Sequence, residues 1–240
     1  FERKTGHYEF SNFEGEMAGT AEGINNLTLT FGGTLNGFPA TGLLTLDKLA
    51  VAAKGKLNTH DVEAMLDLPK LQLNRNKLGG DKFSFNAALS QADESMKIAL
   101  QMPSFEFENK ILQSADLVAD LDLKQADRML QAKFNTPLNV NLETQQLQLS
   151  AIAAKLALGH PALSAQLDSK ITGSVAIDFA EQAINSNYVA KIDNSEIAGS
   201  LVAKNFQHPA YTFDIGINSI DLDRYLKPDW SKRFLDDAAP

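Results

Sequence analysis

The residue types that could carry chemistry in this 240-residue chain are four histidines and a few acidic clusters. His60-Asp61 with Glu63 brings an imidazole and two carboxylates within four positions, the groups of an acid–base pair or a metal ligand set. The same residues suit the start of a short helix over Thr59 to Leu66, with Asn58 or Thr59 as N-cap and the acids near the positive dipole end. That reading is simpler because it needs no ligand. His160 and His208 each precede a proline, which makes them residues of hairpin exits. A metal site shared by them would require the two hairpins to lie side by side. Asp116, Asp120 and Asp122 lack the alternating oxygen ligands and glycine of an EF-hand loop, so they read as a solvated face. Gly32-Gly33 with Gly37 falls in a turn-rich stretch without a helix to aim amides at phosphate. Tyr211, Phe213 and Tyr225 could hold a ring ligand, although core packing explains them better. The nucleophile elbow, the His-Glu-x-x-His helix, the dinucleotide fingerprint and the Walker loop are all missing from the sequence. With no paired acid and base, the chain is not expected to be an enzyme, and no cofactor is expected.

Composition narrows the remaining classes. Lys and Arg total 22 against 30 Asp and Glu, a net charge of −8, which argues against a nucleic-acid partner. Cysteine is absent, so disulfides and thiolate metal sites are excluded. The 44% hydrophobic and 22% charged content suits a folded chain rather than a disordered one. No stretch approaches 18 consecutive apolar residues. The start at Phe1 leads us to expect a fragment whose signal or anchor lies upstream.

The elements that must position these residues are strands. Met96, Ile98, Leu100 and Met102 alternate with polar neighbours, and Phe105 and Phe107 follow. The same pattern recurs in Leu138, Val140 and Leu142, in Val175, Ile177 and Phe179, and in Tyr211, Phe213 and Ile215. Period-two alternation describes half-buried antiparallel strands with one wet face. Helical signals are limited to Thr59–Leu66 and to Ser219–Lys227, the latter capped by Ser219 and stopped by Pro228. Gln113 to Gln131 can be read with either period. The spacing predicts a β domain over 1–227 and a linker or tail over 228–240. Pro69, Pro103, Pro137, Pro161 and Pro209 each open an alternating run, at intervals of 34, 34, 24 and 48 residues. Because proline lacks a ladder donor, this reads as repeated hairpins with proline at the turn exit.

A meander with one apolar face must cover that face, and the sequence offers no helix long enough to do so. Exposing about 20 large apolar side chains at ~1.5–3 kcal/mol each would cost tens of kcal/mol. Two architectures answer this. One is an elongated antiparallel meander of repeated hairpins curled into an open β-trough, whose apolar floor takes an apolar ligand. The other is a closed β-sandwich, which would suit a protein- or glycan-interaction module of the cell envelope. Composition does not separate them.

A resemblance favours the first. The succession Ile171-Thr-Gly-Ser-Val-Ala-Ile-Asp-Phe179, Tyr188-Val-Ala-Lys-Ile192, Ile197-Ala-Gly-Ser-Leu-Val-Ala-Lys204, Pro209-Ala-Tyr-Thr-Phe213 and Ile220-Asp-Leu-Asp-Arg-Tyr-Leu226 resembles the AsmA family of Gram-negative envelope proteins. Gly42-Leu-Leu-Thr-Leu-Asp-Lys-Leu49 and Phe83-Ser-Phe-Asn-Ala-Ala-Leu89 are compatible with it. The resemblance implies a periplasmic β domain tethered to the inner membrane by a helix outside this sequence. It also implies similarity to bridge-like lipid-transfer proteins, whose repeated β-groove carries acyl chains between membranes. Its partners would then be phospholipid acyl chains, the inner membrane and outer-membrane assembly factors. The groove lining expected on this view is Met96, Ile98, Leu100, Met102, Phe105, Phe107, Leu138, Val140, Leu142, Val175, Ile177, Phe179, Tyr211, Phe213 and Ile215. No catalytic or metal-binding residue is implied.

Overall fold

Alternating apolar and polar residues, broken every 15 or so positions by a tight turn, build a single sheet. The computed structural model describes residues 6–21, 23–219 and 225. The strands are β1 (Tyr8–Ala21), β2 (Ile24–Phe38), β3 (Leu43–Leu57), β4 (His60–Asn74), β5 (Lys77–Gln91), β6 (Glu94–Glu108) and β7 (Ile111–Gln125). They continue as β8 (Arg128–Asn141), β9 (Gln146–Gly159), β10 (Leu167–Asp178), β11 (Ala183–Ile192), β12 (Ser195–Lys204) and β13 (Ala210–Ile217). All pair antiparallel, and their spatial order equals their chain order, with β1 and β13 at the two ends.

The repeat is more regular than the prolines alone suggest. Strands β3 to β8 begin at residues 43, 60, 77, 94, 111 and 128, a constant step of 17. Two-residue turns join them, with a left-handed residue at Asn58, Arg75, Ala92 and Ala126, and two in succession at Asn109 and Lys110. Left-handed turn residues match the twist of the flanking strands, which is why such short connections close.

Pro69, Pro103 and Pro137 do not stand at turn exits. Each lies in mid-strand, in β4, β6 and β8 respectively, at the tenth residue of its strand. There the ladder is interrupted. Lys48 and Lys82, both left-handed (φ 55 and 57), sit opposite Pro69 and Pro103, where pairing skips from Asp47 to Leu49 and from Asp81 to Phe83. Pro137 opposes the shift between Ser114 and Leu117. A bulge leaves an amide unpaired, so proline fits a central strand there without losing a bond. The line of irregularities runs on through Asn12 in β1, Gly33 in β2 and the shifts beside Ser174 in β10. Pairing in β11 to β13 has no such break. Pro209 alone among these prolines opens a strand directly, at β13, and Pro161 belongs to the β9–β10 connection.

Two further expectations change. Thr59–Leu66 is not a helix: Thr59 completes a turn and His60 begins β4, with Val62, Ala64 and Leu66 alternating against Asp61, Glu63 and Met65. The ambiguous segment from Gln113 to Gln131 is two strands, β7 and the start of β8. Of the helix expected over Ser219–Lys227, only Ser219 and Tyr225 are described, Tyr225 in helical conformation. The rest of it, and the linker over 228–240, lie outside the described residues.

The sheet is open, not a closed sandwich. Among the described hydrophobic residues only Leu68, Met102, Ala119, Ala162 and Ala203 are buried, whereas a two-layer sandwich of this size buries the inner face of both sheets. The chain exposes 15908 Å², against about 10,600 Å² expected of a compact monomer of its mass. The fold is thus the elongated open trough.

The bulge line makes a test. Pro103→Ala removes no ladder bond and is expected to cost only about 0.4–1 kcal/mol through the unfolded chain. Leu100→Pro, three residues away in regular pairing with Phe85 and Ala119, is expected to cost ~3 kcal/mol or more. Denaturant unfolding of both variants measures the difference, and equal losses would contradict the assignment.

Candidate functional site

Residues directly opposite in an antiparallel sheet point to the same side, so the pairing register defines each face. One rung reads Gly15, Phe31, Val51, Leu66, Phe85, Leu100, Ala119, Phe134, Ala154, Ile171, Ala190, Ile197 and Ile217, from β1 to β13. Every member is apolar. Beyond the bulge line a second rung reads Tyr8, Gly37, Leu44, Leu73, Leu78, Phe107, Leu112, Val140, Leu147, Ile177, Ile184, Ala203 and Tyr211. It too has no ionisable group except the two terminal phenols. At ~4.8 Å per strand, each rung runs about 58 Å.

The expected lining residues fall on this face. Met96, Ile98, Leu100, Met102, Phe105 and Phe107 stand on β6, Leu138 and Val140 on β8, Val175 and Ile177 on β10, and Tyr211, Phe213 and Ile215 on β13. The face changes from even to odd numbers between Met102 and Phe105 because Pro103 occupies the bulge line. Leu142 and Phe179 lie just past their strands, at 57% and 49% exposure. On the edge strand β13, Tyr211 and Phe213 are 62% and 68% exposed. The structure adds residues that the period of Gln113–Gln131 concealed, notably Leu117, Leu121 and Leu123, and the β9 side chains Leu147, Leu149 and Leu156.

Glycines keep the face continuous near the aromatic rings. A Cβ on Gly15 would collide with the Phe31 ring opposite it, and one on Gly80 with Phe105. The ring of Phe105 also meets Phe83 edge-on, with centroids 6.4 Å apart, which closes the face across the bulge line.

The opposite face is polar and carries a series of cross-strand pairs. Lys54 meets Glu63 at 3.0 Å, Lys56 meets Asp61 at 3.0 Å and Lys133 meets Asp120 at 3.2 Å. Gln131 Nε2 donates to Asp122 at 2.9 Å, and Asn135 Nδ2 donates to Asp116. The three aspartates of β7 are therefore engaged by donors on β8, as a solvated face should be. Exposed pairs of this kind add little stability individually; they mark the wet side. Lys77 and Glu106, 2.8 Å apart, show the pairing in their ionisation. Their hydrogen bond raises the lysine pKa and lowers that of the carboxyl.

The histidines do not converge. His60 lies 3.8 Å from Glu94, while Asp61 and Glu63 engage Lys56 and Lys54. In the β9–β10 connection His160 Nδ1 accepts the Ala162 amide at 3.1 Å, and His208 precedes β13 with its amide on Asn205 Oδ1. Among the described residues no group of three potential metal ligands is present. Gly32, Gly33 and Gly37 belong to β2 rather than to a turn.

Comparison with family models, with curated proteins and with solved structures yields no match.

One end of the face rests on a titratable anchor. Asp178 accepts the Glu181 amide at 2.8 Å and Gln146 Nε2 at 2.9 Å, fixing the turn that carries Phe179. The backbone hydrogen bond from Glu181, then that from Gln146, hold its pKa below the usual carboxylate value. A depressed carboxyl contributes stability that is present above its unfolded pKa and lost as pH falls through its folded pKa. Melting temperature followed downward through the carboxylate range should therefore fall less steeply in Asp178→Asn than in the parent. Identical acid limbs would contradict this anchor.

Proposed function

We propose that the chain is a lipid-handling β-groove module, whose uninterrupted apolar face carries phospholipid acyl chains. The observation that supports this reading most is the pair of apolar rungs crossing all thirteen strands without a covering layer among the described residues. Soluble monomers rarely leave apolar patches beyond a few hundred Å² without a partner. A rung of about 58 Å far exceeds one acyl chain and suits a track better than a pocket. Burial on it would add ~0.8 kcal/mol per methylene, spread over many residues, so no single side chain decides binding.

The resemblance of Ile171–Leu226 to AsmA-like sequences extends the proposal. On that reading the module sits in the periplasm, belongs to a protein anchored in the inner membrane, and supports phospholipid transport to the outer membrane together with outer-membrane assembly factors. It does no covalent chemistry.

The test uses the two faces against each other. Ile98→Asp places a carboxylate on the apolar face, and Lys97→Asp places one on the polar face of the same strand. Lipid co-purified with each protein is measured by mass spectrometry after organic extraction, and uptake of a fluorescent phospholipid by the delipidated proteins is titrated. Ile98→Asp is expected to reduce uptake at least fivefold while Lys97→Asp stays within twofold of the parent. Equal effects, or a parent that takes up no lipid, would contradict the proposal.

A further inference from the structure

The polar face carries one feature that its cross-strand pairing does not explain. A groove of about 1200 Å³ runs along it, lined by triplets such as Lys97-Ile98-Ala99 and Asp120-Leu121-Asp122. The middle residue of each triplet points to the apolar face. Its apolar neighbours two positions away, such as Met96 and Leu100, do not line the groove, which places it on the polar side. Along its far end Lys133, Lys155, Lys170 and Lys191 stand directly opposite one another on β8, β9, β10 and β11.

Like charges directly opposite across strands destabilise a sheet. Elsewhere on this face Lys54 is set against Glu63 and Lys56 against Asp61. At the ends of the row the same rule holds: Lys133 pairs with Asp120 at 3.2 Å and Lys191 with Glu196 at 3.3 Å. The two central members are different. Among the described residues, neither Lys155 nor Lys170 is in an ion pair, although both are exposed. Asp168, on the same face of β10 as Lys170, accepts Gln166 Nε2 at 2.8 Å. Four ammonium groups thus span about 14 Å in a chain of net charge −8.

We infer that this lysine row, set in the polar-face groove, is a binding site for a phosphate-bearing ligand. Lysine presents a compact cation with three donors, which suits phosphate oxygens reached from several strands at once. A ligand with two or more phosphate groups would bridge the central pair and offset the repulsion that the row builds into the sheet. The site lies on the face opposite the apolar rungs and stands independently of the lipid proposal. The shared chemistry is phosphate, supplied either by a free polyphosphate or by phospholipid headgroups.

The experiment compares the full chain with Lys155→Gln/Lys170→Gln and with Lys56→Gln/Lys124→Gln, which removes equal charge on the polar face outside the groove. Tripolyphosphate is titrated by calorimetry at low salt, and co-sedimentation is measured with phosphatidylglycerol and with phosphatidylcholine vesicles. The parent is expected to bind tripolyphosphate, phosphatidylglycerol vesicles or both, more weakly as salt rises. Lys155→Gln/Lys170→Gln should weaken that binding at least tenfold, and the control pair less than twofold. Without ligand, the same double variant should melt about 1–3 °C higher at low salt, because a like-charge contact is relieved. Binding of tripolyphosphate alone assigns a free anion, and binding of vesicles alone assigns headgroups. If neither probe binds the parent, or both variants weaken binding equally, the inference is wrong.

Discussion

Hydrogen bonding between neighbouring strands is the one interaction that runs the whole length of this molecule, and it satisfies the backbone only within the plane of the sheet. Among the described residues nothing comparable acts perpendicular to that plane. In a sandwich or an α/β fold, packing between layers buries one face of each sheet and supplies much of the stability. Here thirteen strands pair in chain order and, among the described residues, the layer remains single. Lateral contact between side chains on neighbouring strands therefore has to supply the apolar burial, which explains why most apolar residues are half-covered and so few are buried.

That constraint shapes both faces. On one, apolar residues crowd along the rungs, and glycines admit rings such as Phe31 and Phe105 over the backbone. On the other, lysines paired with acids across β3, β4, β7 and β8 keep the surface wet. The bulge line keeps the two faces distinct through a long strand. Without the unpaired position at Pro103, the side chains Phe105 and Phe107 would follow the numbering of Met96 to Met102 onto the wrong side, because a shift of one residue exchanges the faces.

Much of this was legible in the sequence. The alternation of Met96 to Met102 and of Leu138 to Val140 identified antiparallel strands and named residues that share one face. The missing helices pointed to an uncovered face, though they left the sandwich open as an answer. The errors have physical causes. Asp61 and Glu63 resemble helix-start acids, yet Val62, Ala64, Leu66 and Leu68 alternate strictly, and tertiary pairing follows that pattern. A proline every 34 residues has the same interval whether it stands at a turn or in mid-strand. The shift in parity between Leu68 and Leu71, and again between Met102 and Phe105, distinguishes the two. The lysine row was not legible at all, since residues 133, 155, 170 and 191 meet only through the register of four strands.

The central claim is that acyl chains lie along the apolar face. Paramagnetic relaxation by a phospholipid spin-labelled near its acyl terminus, read at methyl groups by NMR, addresses it directly. The account predicts the strongest broadening at Ile98, Leu121, Val140 and Leu147, and weaker broadening at the polar-face methyls of Ala52 and Ala99, which lie one sheet thickness farther from the label. Equal broadening of both sets, or none at the apolar set in the presence of bound lipid, would contradict it.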